Sequence, residues 1–210
     1  MSTRPYTSSV RTAAAAEKRE RVIEAAARSL REDASIASFS LDAVAKAAGV
    51  TRLTVYHQFG SRRGLLEAVF DDIARQGGLA QIPDAMAMSD PREALDRLVE
   101  IFCIFWNRDP AVGRLHEAMA TDPEFAQALI GRNERRRKTV NVLVERIAGT
   151  TAAPRARRDA VDVIFAHTSF AMFAMLHQDR SVDDVCALVK TACRGALDPL
   201  LPDRRRSSRS

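Results

Sequence analysis

Apolar side chains recur every three or four residues along almost the whole chain after residue 12, and this spacing constrains the fold most strongly. In residues 13–33, for example, Val22, Ala26 and Leu30 fall on one helical face, while Glu and Arg occupy the other. Alternating β-branched runs bounded by Asn-Gly turns, the pattern typical of strands, are missing from the sequence. The sequence therefore predicts an all-α protein.

Helix start and stop residues divide this pattern. Ser40, Thr51 and Ser61 are good N-cap residues, and Gly49 and Gly60 stand where two short segments end. In the first part of the chain, the predicted helices are 13–33, 41–48, 52–59 and 62–76. In the second part, they are about 91–107, 111–120, 123–148, 155–178 and 182–200.

Breaks between these helices predict the domain organisation. The Gly- and Pro-containing stretch 77–90 is expected to be a linker between two helical domains, at 13–76 and 91–202. The predicted basic, flexible ends are 1–12 and 203–210.

Composition excludes several protein classes. Hydrophobic residues make up 46% of the chain and charged residues 28%, as in ordinary globular proteins. The longest apolar stretch, 160–176, contains Asp162 and His167 and is shorter than the roughly 20 apolar residues of a membrane span. The N-terminus lacks an apolar signal region, and three Cys without CxxC spacing favour a reduced compartment. We therefore expect a cytoplasmic protein with no membrane partner.

Catalytic and metal-binding motifs are also missing from the sequence. His116-Glu117 begins like the zinc motif HExxH, but residue 120 is Ala. The chain has no GxSxG, Walker A or GxGxxG sequence, and its four His suggest no triad. We expect neither an enzyme nor a bound cofactor or metal. The net charge of +5 permits a polyanionic partner without identifying one.

One stretch, residues 41–55, reads LDAVAKAAGVTRLTV and fits a helix-turn-helix. Val44 and Ala48 are apolar where the first helix would face the core, and Ala45 is small where two helices would cross. Gly49 falls in the turn, where a left-handed backbone conformation is favoured. An ordinary αα-corner needs the same Ala and Gly residues, so this stretch alone leaves both interpretations open.

The pattern continues without a gap as VYHQFGSRRGLL at 55–66. Together with the preceding AVAKAAGVTR, this run resembles the N-terminal domain of TetR/AcrR-family transcriptional regulators over about residues 18–75. The resemblance implies an N-terminal three-helix DNA-binding domain and a larger C-terminal helical bundle for ligand binding and dimerisation. It also implies a repressor released by a small molecule. A helical protein-interaction module without DNA binding is the alternative.

The resemblance further implies which residues contact double-stranded DNA. Ser40 and Thr51 would present a hydroxyl and helix N-terminal N–H groups to phosphates, and Arg52 would read a guanine in the major groove. The expected DNA contacts are Ser40, Thr51, Arg52, Leu53, Thr54, Tyr56, His57 and Arg62. Leu53 departs from the family, which often has a small residue here, and it implies an apolar base contact or a tilted recognition helix.

Some of these positions have simpler explanations. Tyr56 can cover a small hydrophobic core, and His57 can be an ordinary surface residue. Phe59 is predicted to be a core residue. Gly64 replaces a helix-forming residue of the family, at a predicted cost of about 1 kcal/mol in helix stability.

The segment at about 155–178 is apolar nearly all round, so it needs burial on every side. Family members dimerise through their last two long helices, which implies a homodimer through 155–178 and 182–200 on a near-palindromic operator. Aromatic and Met residues predict an apolar or amphipathic small-molecule effector. Its expected lining is Phe102, Phe105, Trp106, His116, Met119, Phe125, Phe165, Thr168 and Phe173, each of which is also explained as plain core.

Two further features have structural interpretations. The run Arg135-Arg136-Arg137-Lys138 lies inside a predicted helix and points around most of its circumference, so we interpret it as a solvated face or an inter-domain contact. Cys186 and Cys193, seven residues apart on one face, are interpreted as small buried hydrophobes rather than a thiol switch.

Overall fold

The computed structural model describes residues 6–32, 36–150 and 152–200. Within these ranges the chain forms eleven α-helices and no strand, which confirms the all-α prediction. The helices are α1 (Tyr6–Glu32), α2 (Leu41–Ala48), α3 (Arg52–Phe59), α4 (Arg62–Gln76), α5 (Ile82–Ala87), α6 (Pro91–Arg108), α7 (Ala111–Thr121), α8 (Pro123–Ala148), α9 (Pro154–His167), α10 (Phe170–Leu176) and α11 (Val182–Ala196).

The chain divides into two compact units. The first comprises Met1–Ile73 and Asp109–Leu129, and the second comprises Ala74–Arg108 and Ile130–Ser210. In the first unit, α1 packs against α2 and α7, and α2 packs against α3. Its most deeply buried side chains include Val22, Leu30, Val44, Val55, Leu65, Leu66, Leu115 and Phe125. The second unit packs α11 against α6 and α9.

The first unit includes α7 and the start of α8, although the sequence predicts a larger domain that begins at residue 91. Ion pairs account for part of this difference. Arg31 at the end of α1 reaches Asp109 at 2.7 Å, and Arg62 at the start of α4 reaches Asp122 at 3.2 Å. Such pairs between distant parts of the chain cannot be deduced from helical periodicity.

The predicted linker 77–90 contains structure of its own. A 3₁₀ turn at Leu79–Gln81 leads into α5, where Ala85 is buried. Arg146 of α8 donates hydrogen bonds to the carbonyl oxygens of Met86 at 2.8 Å and Met88 at 2.5 Å. These contacts fix the segment inside the second unit, so its turn-forming residues do not make it a free linker.

The single helix predicted at 155–178 is two helices, α9 and α10, bent by 57°. The hydroxyl of Thr168 donates to the carbonyl oxygen of Ile164 at 2.9 Å, and that of Ser169 accepts from the backbone N–H of Met172 at 3.2 Å. Hydroxyl side chains that bond the backbone compete with helix continuation, which explains the bend. No single described helix has the length and apolar character of a membrane span, and α9 and α10 reach them only as this bent pair.

Of the two chain ends predicted to be flexible, the structure describes only part of the N-terminal one. Residues 6–12 belong to α1 rather than to a flexible arm, consistent with the high helix propensity of the alanine run that follows them. The predicted basic tail at 203–210 lies outside the described residues.

Candidate DNA-binding surface and ligand site

Two capped helices and a tight turn build the candidate DNA-binding surface. Gly49 ends α2 in the left-handed conformation, with φ 66° and ψ 35°. The N–H of Gly49 bonds to the carbonyl of Lys46 at 3.2 Å, and that of Val50 bonds to the carbonyl of Ala45 at 3.0 Å. These two bonds satisfy the last carbonyls of α2. The glycine therefore allows a turn of only three residues between the end of α2 and the start of α3.

Hydroxyl side chains cap both helices as the sequence predicts. Ser40 accepts a hydrogen bond from the N–H of Ala43 at 3.2 Å, and Thr51 accepts one from the N–H of Thr54 at 3.1 Å. The hydroxyls of Thr51 and Thr54 are also 2.9 Å apart. This network fixes the first turn of α3, the part of a recognition helix that approaches base edges.

The outer face of α3 exposes a cation, a large apolar group and an aromatic group together. Leu53 is 62% exposed and Tyr56 is 56% exposed, whereas Val55 between them is fully buried. His57 is also exposed. Arg52 is exposed too, and its guanidinium forms a surface ion pair with Asp42 at 3.1 Å. Tyr56 does not cover a core, so the simpler explanation for this position does not hold. A solvent-facing leucine beside a tyrosine is typical of a contact surface.

Arg62 has partners within its own unit. Besides its ion pair with Asp122, the guanidinium donates to the carbonyl oxygens of Ile36 at 3.3 Å and Phe39 at 3.4 Å. It also lies 5.5 Å from the ring centroid of Phe39. These contacts connect the start of α4 to Ile36, Phe39 and Asp122, and the expected contact of Arg62 with DNA stays a prediction. Phe59, expected in the core, is only half-buried, with the guanidinium of Arg19 at 4.6 Å from its ring.

The residues expected to line a ligand pocket fall in both units. Those in the first unit are His116, Met119 and Phe125, and those in the second are Phe102, Phe105, Trp106, Phe165, Thr168 and Phe173. Nδ1 of His116 lies 3.0 Å from the carbonyl oxygen of Val112, in its own helix. That contact accounts for the imidazole without a ligand.

Three of the six residues in the second unit, Phe102, Phe105 and Trp106, form one aromatic cluster, and a fourth, Thr168, is hydrogen-bonded to it. Nε1 of Trp106 donates to the carbonyl oxygen of Thr168 at 3.0 Å. The ring centroids of Phe105 and Phe102 lie 4.6 Å and 6.1 Å from that of Trp106. Phe173 is buried elsewhere and stacks on His177 at 5.0 Å.

Sequence reasoning missed the residue that connects Phe165 with this cluster. Arg136 of α8 is only 8% exposed, although the RRRK run containing it was expected to be solvated or at a domain contact. Its guanidinium lies 5.8 Å from the ring centroid of Phe102 and 4.1 Å from that of Phe165. Helical spacing could have identified Arg136 as buried, because it lies on the same helical face as the buried Val140 and Leu143.

The cysteines are largely internal. Cys103 and Cys193 are buried, and burial raises the pKa of the Cys193 thiol to about 12. A hydrogen bond with the half-buried Cys186, together with burial, raises the pKa of Cys103. Both shifts disfavour the reactive thiolate. Over the described ranges, no three His, Cys, Asp or Glu side chains converge as a metal site.

Two family profiles match the chain in sequence order. Residues 23–69 match bacterial regulatory proteins of the tetR family, and residues 89–201 match the tetracyclin repressor-like C-terminal domain. The second match alone covers more than half of the 210 residues.

Curated relatives match over part of their length. The HTH-type transcriptional regulator EthR of Mycolicibacterium smegmatis is 34% identical over 112 residues, which are 52% of this chain and 51% of the relative. EthR of Mycobacterium tuberculosis is 31% identical over 112 residues, 52% of each protein. The chain thus spans about half the length of the curated relatives it matches.

Solved structures share the fold at low identity. A transcriptional regulator from Rhodococcus sp. Rha1 has a TM-score of 0.67 and 14% identity, with 88% of this chain and 99% of that chain covered. The TetR-family regulator PfmR from Thermus thermophilus has a TM-score of 0.60 and 22% identity, with 83% and 97% covered. The profile matches and the helix-turn-helix geometry agree, and the chain belongs to the TetR family of bacterial regulatory proteins, which are transcriptional regulators rather than enzymes.

Proposed function

We propose that this protein is a cytoplasmic repressor that binds operator DNA through α3. A helical interaction module without DNA binding is the alternative. The observation that carries the proposal is the exposed face of α3, where Arg52, Leu53, Tyr56 and His57 point away from the buried Val55. The two capping hydroxyls and the N-terminal N–H groups of α3 are suited to phosphate oxygens.

Each residue of this face suits a different DNA group. Arg52 offers a guanidinium fork to the O6 and N7 atoms of guanine, and Leu53 offers an apolar surface to a thymine methyl group. Tyr56 and His57 are suited to phosphates. Ser40, Thr51 and Thr54 would hold α2 and α3 against the backbone. Arg62 contributes indirectly, by fixing the start of α4 through its contacts with Ile36, Phe39 and Asp122.

The remaining parts of the proposed repressor belong to the larger domain, predicted at 91–202. A homodimer through α9, α10 and α11 would place two recognition helices on a near-palindromic operator, with half-sites roughly 34–36 Å apart. An apolar or amphipathic effector bound in this domain would favour a dimer whose α3 spacing no longer fits the operator. Family membership supports this arrangement.

DNA binding is tested by selection from a randomised double-stranded pool, followed by titration of the enriched sequence. The affinity should fall linearly with salt on a log–log scale, because phosphate contacts release counterions. Arg52→Ala should weaken binding by about 1–3 kcal/mol and relax the preference at one base pair.

Arg155→Ala is the matched control, because Arg155 of α9 is 88% exposed and its ion pair with Asp159 is long, at 3.8 Å. An equal loss of DNA affinity in both variants would show that Arg52 contributes only nonspecific positive charge. A parent protein that enriches no sequence and binds no DNA even in low salt would favour the interaction module instead.

A further inference from the structure

The guanidinium of Arg136 is buried without an anionic partner. Arg136 is 8% exposed and lies within α8, next to rings from α6 and α9. Among the described residues, no carboxylate lies within ion-pair distance of it. By contrast, the neighbouring Arg137 pairs with Asp162. Arg136 is thus an exception to the rule that buried charges in proteins are paired.

The hydrogen bonds of Arg136 leave one edge of the guanidinium free. Nη1 donates to the carbonyl oxygen of Phe165 at 2.8 Å and to the hydroxyl of Thr168 at 2.8 Å. Nε is fully buried and has no hydrogen-bond partner among the described residues. Both side-chain hydrogen bonds that Arg136 donates run from Nη1. The Nε–Nη2 edge is one from which a carboxylate can accept two parallel hydrogen bonds in a bidentate pair.

The charge on Arg136 persists despite its burial. Burial, and to a lesser extent the neighbouring Arg137, lower the pKa of Arg136 to about 10. The group therefore remains protonated at neutral pH. Neutral oxygens and aromatic faces offset part of the cost of burying it, but they bring no opposite charge. A negatively charged group is what this environment lacks.

The surroundings define the shape of a matching anion. Phe102, Trp106 and Phe165 offer apolar surface next to the guanidinium. The other face of this region carries an open groove of about 300 Å³ between α8 and α9, lined in part by Arg137, whose guanidinium lies 4.3 Å from the ring centroid of Phe165. The groove is lined by Arg137, Lys138, Asn141, Arg158, Val161 and Asp162. With three cations and one acid, this lining attracts anions.

We propose that the effector of this protein is an organic monocarboxylate with an apolar body, whose carboxylate pairs with the Nε–Nη2 edge of Arg136. One buried guanidinium balances one negative charge, which excludes di- and triphosphate groups as the buried part of the ligand. The aromatic cluster would hold the apolar body. This inference rests on the proposed ligand-responsive function and specifies the effector's chemistry.

Binding is measured without DNA by following the fluorescence of Trp106, the only tryptophan in the chain. The probes are acetate, benzoate, 4-phenylbutyrate and octanoate, each compared with its uncharged amide. At least one of the larger acids should bind about 10- to 100-fold more tightly than its amide, as expected for a charge-assisted hydrogen-bonded pair. If none of the four acids binds more tightly than its amide, the proposal is overturned.

Variants then identify the residue. Arg136→Gln should abolish the preference for the acid, and Arg136→Lys should retain only part of it, because an ammonium lacks the planar fork. Arg135→Gln is the control, because Arg135 is exposed on the same helix and does not line the groove, and it should keep the preference. Arg136→Gln should also leave the melting temperature unchanged or raised, because it removes an unpaired buried charge. An acid preference that survives in Arg136→Gln would also overturn the assignment.

The role in regulation is read separately, by adding the same acid to the DNA complex. Tight acid binding without release of DNA would support the carboxylate site and contradict the ligand-release part of the proposed function. Release of DNA by an uncharged compound, together with no preference for any acid, would support the ligand-release part of the proposed function and contradict the carboxylate site.

Discussion

Gly64 is the third residue of α4, and its position explains a departure from the helix-forming residue common in this family. A Cβ built at Gly64 would overlap the carbonyl oxygen of Phe59, the last residue of α3. The backbone N–H of Gly64 also donates to the hydroxyl of Ser61 at 3.0 Å, within the first turn. The glycine therefore permits the close approach of α3 and α4, and the loss of helix propensity predicted from the sequence is offset by this contact.

Gly64→Ala should therefore destabilise the protein by about 1–3 kcal/mol, as overpacking does, instead of stabilising it. Urea unfolding followed by circular dichroism measures the change. Gly131→Ala is the matched control, because Gly131 lies inside α8 with open space around its Cβ position. That substitution should stabilise the protein by about 0.5–1 kcal/mol. Similar gains from both substitutions would refute the contact at Gly64.

Leu53 is the residue where this chain departs from the family within the recognition helix, and it is 62% exposed. Leu53→Ala should leave the free energy of unfolding within about 0.5 kcal/mol of the parent, because it creates no cavity. It should weaken binding to the selected operator by reducing apolar contact in the major groove. Operator affinity is measured by fluorescence anisotropy. If it is unchanged, Leu53 has no role in DNA binding.

The helices predicted best from the sequence are those with both ends marked by capping residues. α2, α3 and α4 begin and end at the predicted residues, since Ser40, Thr51, Gly49 and Gly60 act there as the pattern indicates. The bend between α9 and α10 was not predicted, because Thr168 and Ser169 lie in a continuous apolar run. Whether such hydroxyls bend a helix depends on tertiary packing, which periodicity does not report.

The pairing of α6 with α11 includes a buried apolar seam and ion pairs at its edge. Glu100 of α6 accepts hydrogen bonds from Lys190 of α11 and from Arg97, at 2.8 Å for the latter. The bond from Lys190, followed by the one from Arg97, holds the pKa of Glu100 below its ordinary value. A carboxyl whose pKa is lowered by folding stabilises the protein above its unfolded pKa.

Glu100→Gln should consequently reduce stability at pH 7 by about 0.5–1 kcal/mol, the size of a partly exposed pair. The difference from the parent should shrink as the pH falls towards about 4, because the parent then loses the contribution of its own carboxylate. Denaturant titrations at several pH values measure this trend. Glu134→Gln, which removes only a 3.9 Å contact with Arg137, should show a smaller effect. A deficit that stays constant with pH would contradict the electrostatic explanation.

The division of the chain into two units affects how its parts can act together. Residues 109–129 follow α6 in sequence yet pack with α1 and α4, so the chain crosses between units three times. The two units are therefore connected by the chain at three places rather than by one linker. Sequence patterns predicted the capped helices of the helix-turn-helix, whereas the burial of Arg136 and the crossing of residues 109–129 depend on long-range packing.

The second unit also exposes apolar side chains that a monomer does not need. Met175 of α10 is 64% exposed, and Leu188 of α11 and Val163 of α9 are 42% and 40% exposed. Exposed apolar groups on the three helices proposed for dimerisation are consistent with a subunit interface. Introduction of a charge there should be costly only if a second subunit covers it.

Met175→Glu and Leu188→Glu together should therefore convert the protein from dimer to monomer in sedimentation velocity experiments, while the circular dichroism spectrum stays unchanged. Binding to the full operator should weaken strongly, because a monomer loses the effective concentration that links two half-sites. Val142→Glu is the control, because Val142 is 44% exposed on α8, outside the proposed interface. If the double variant remains dimeric, the interface lies on another surface, and the proposed spacing of the two recognition helices must be revised.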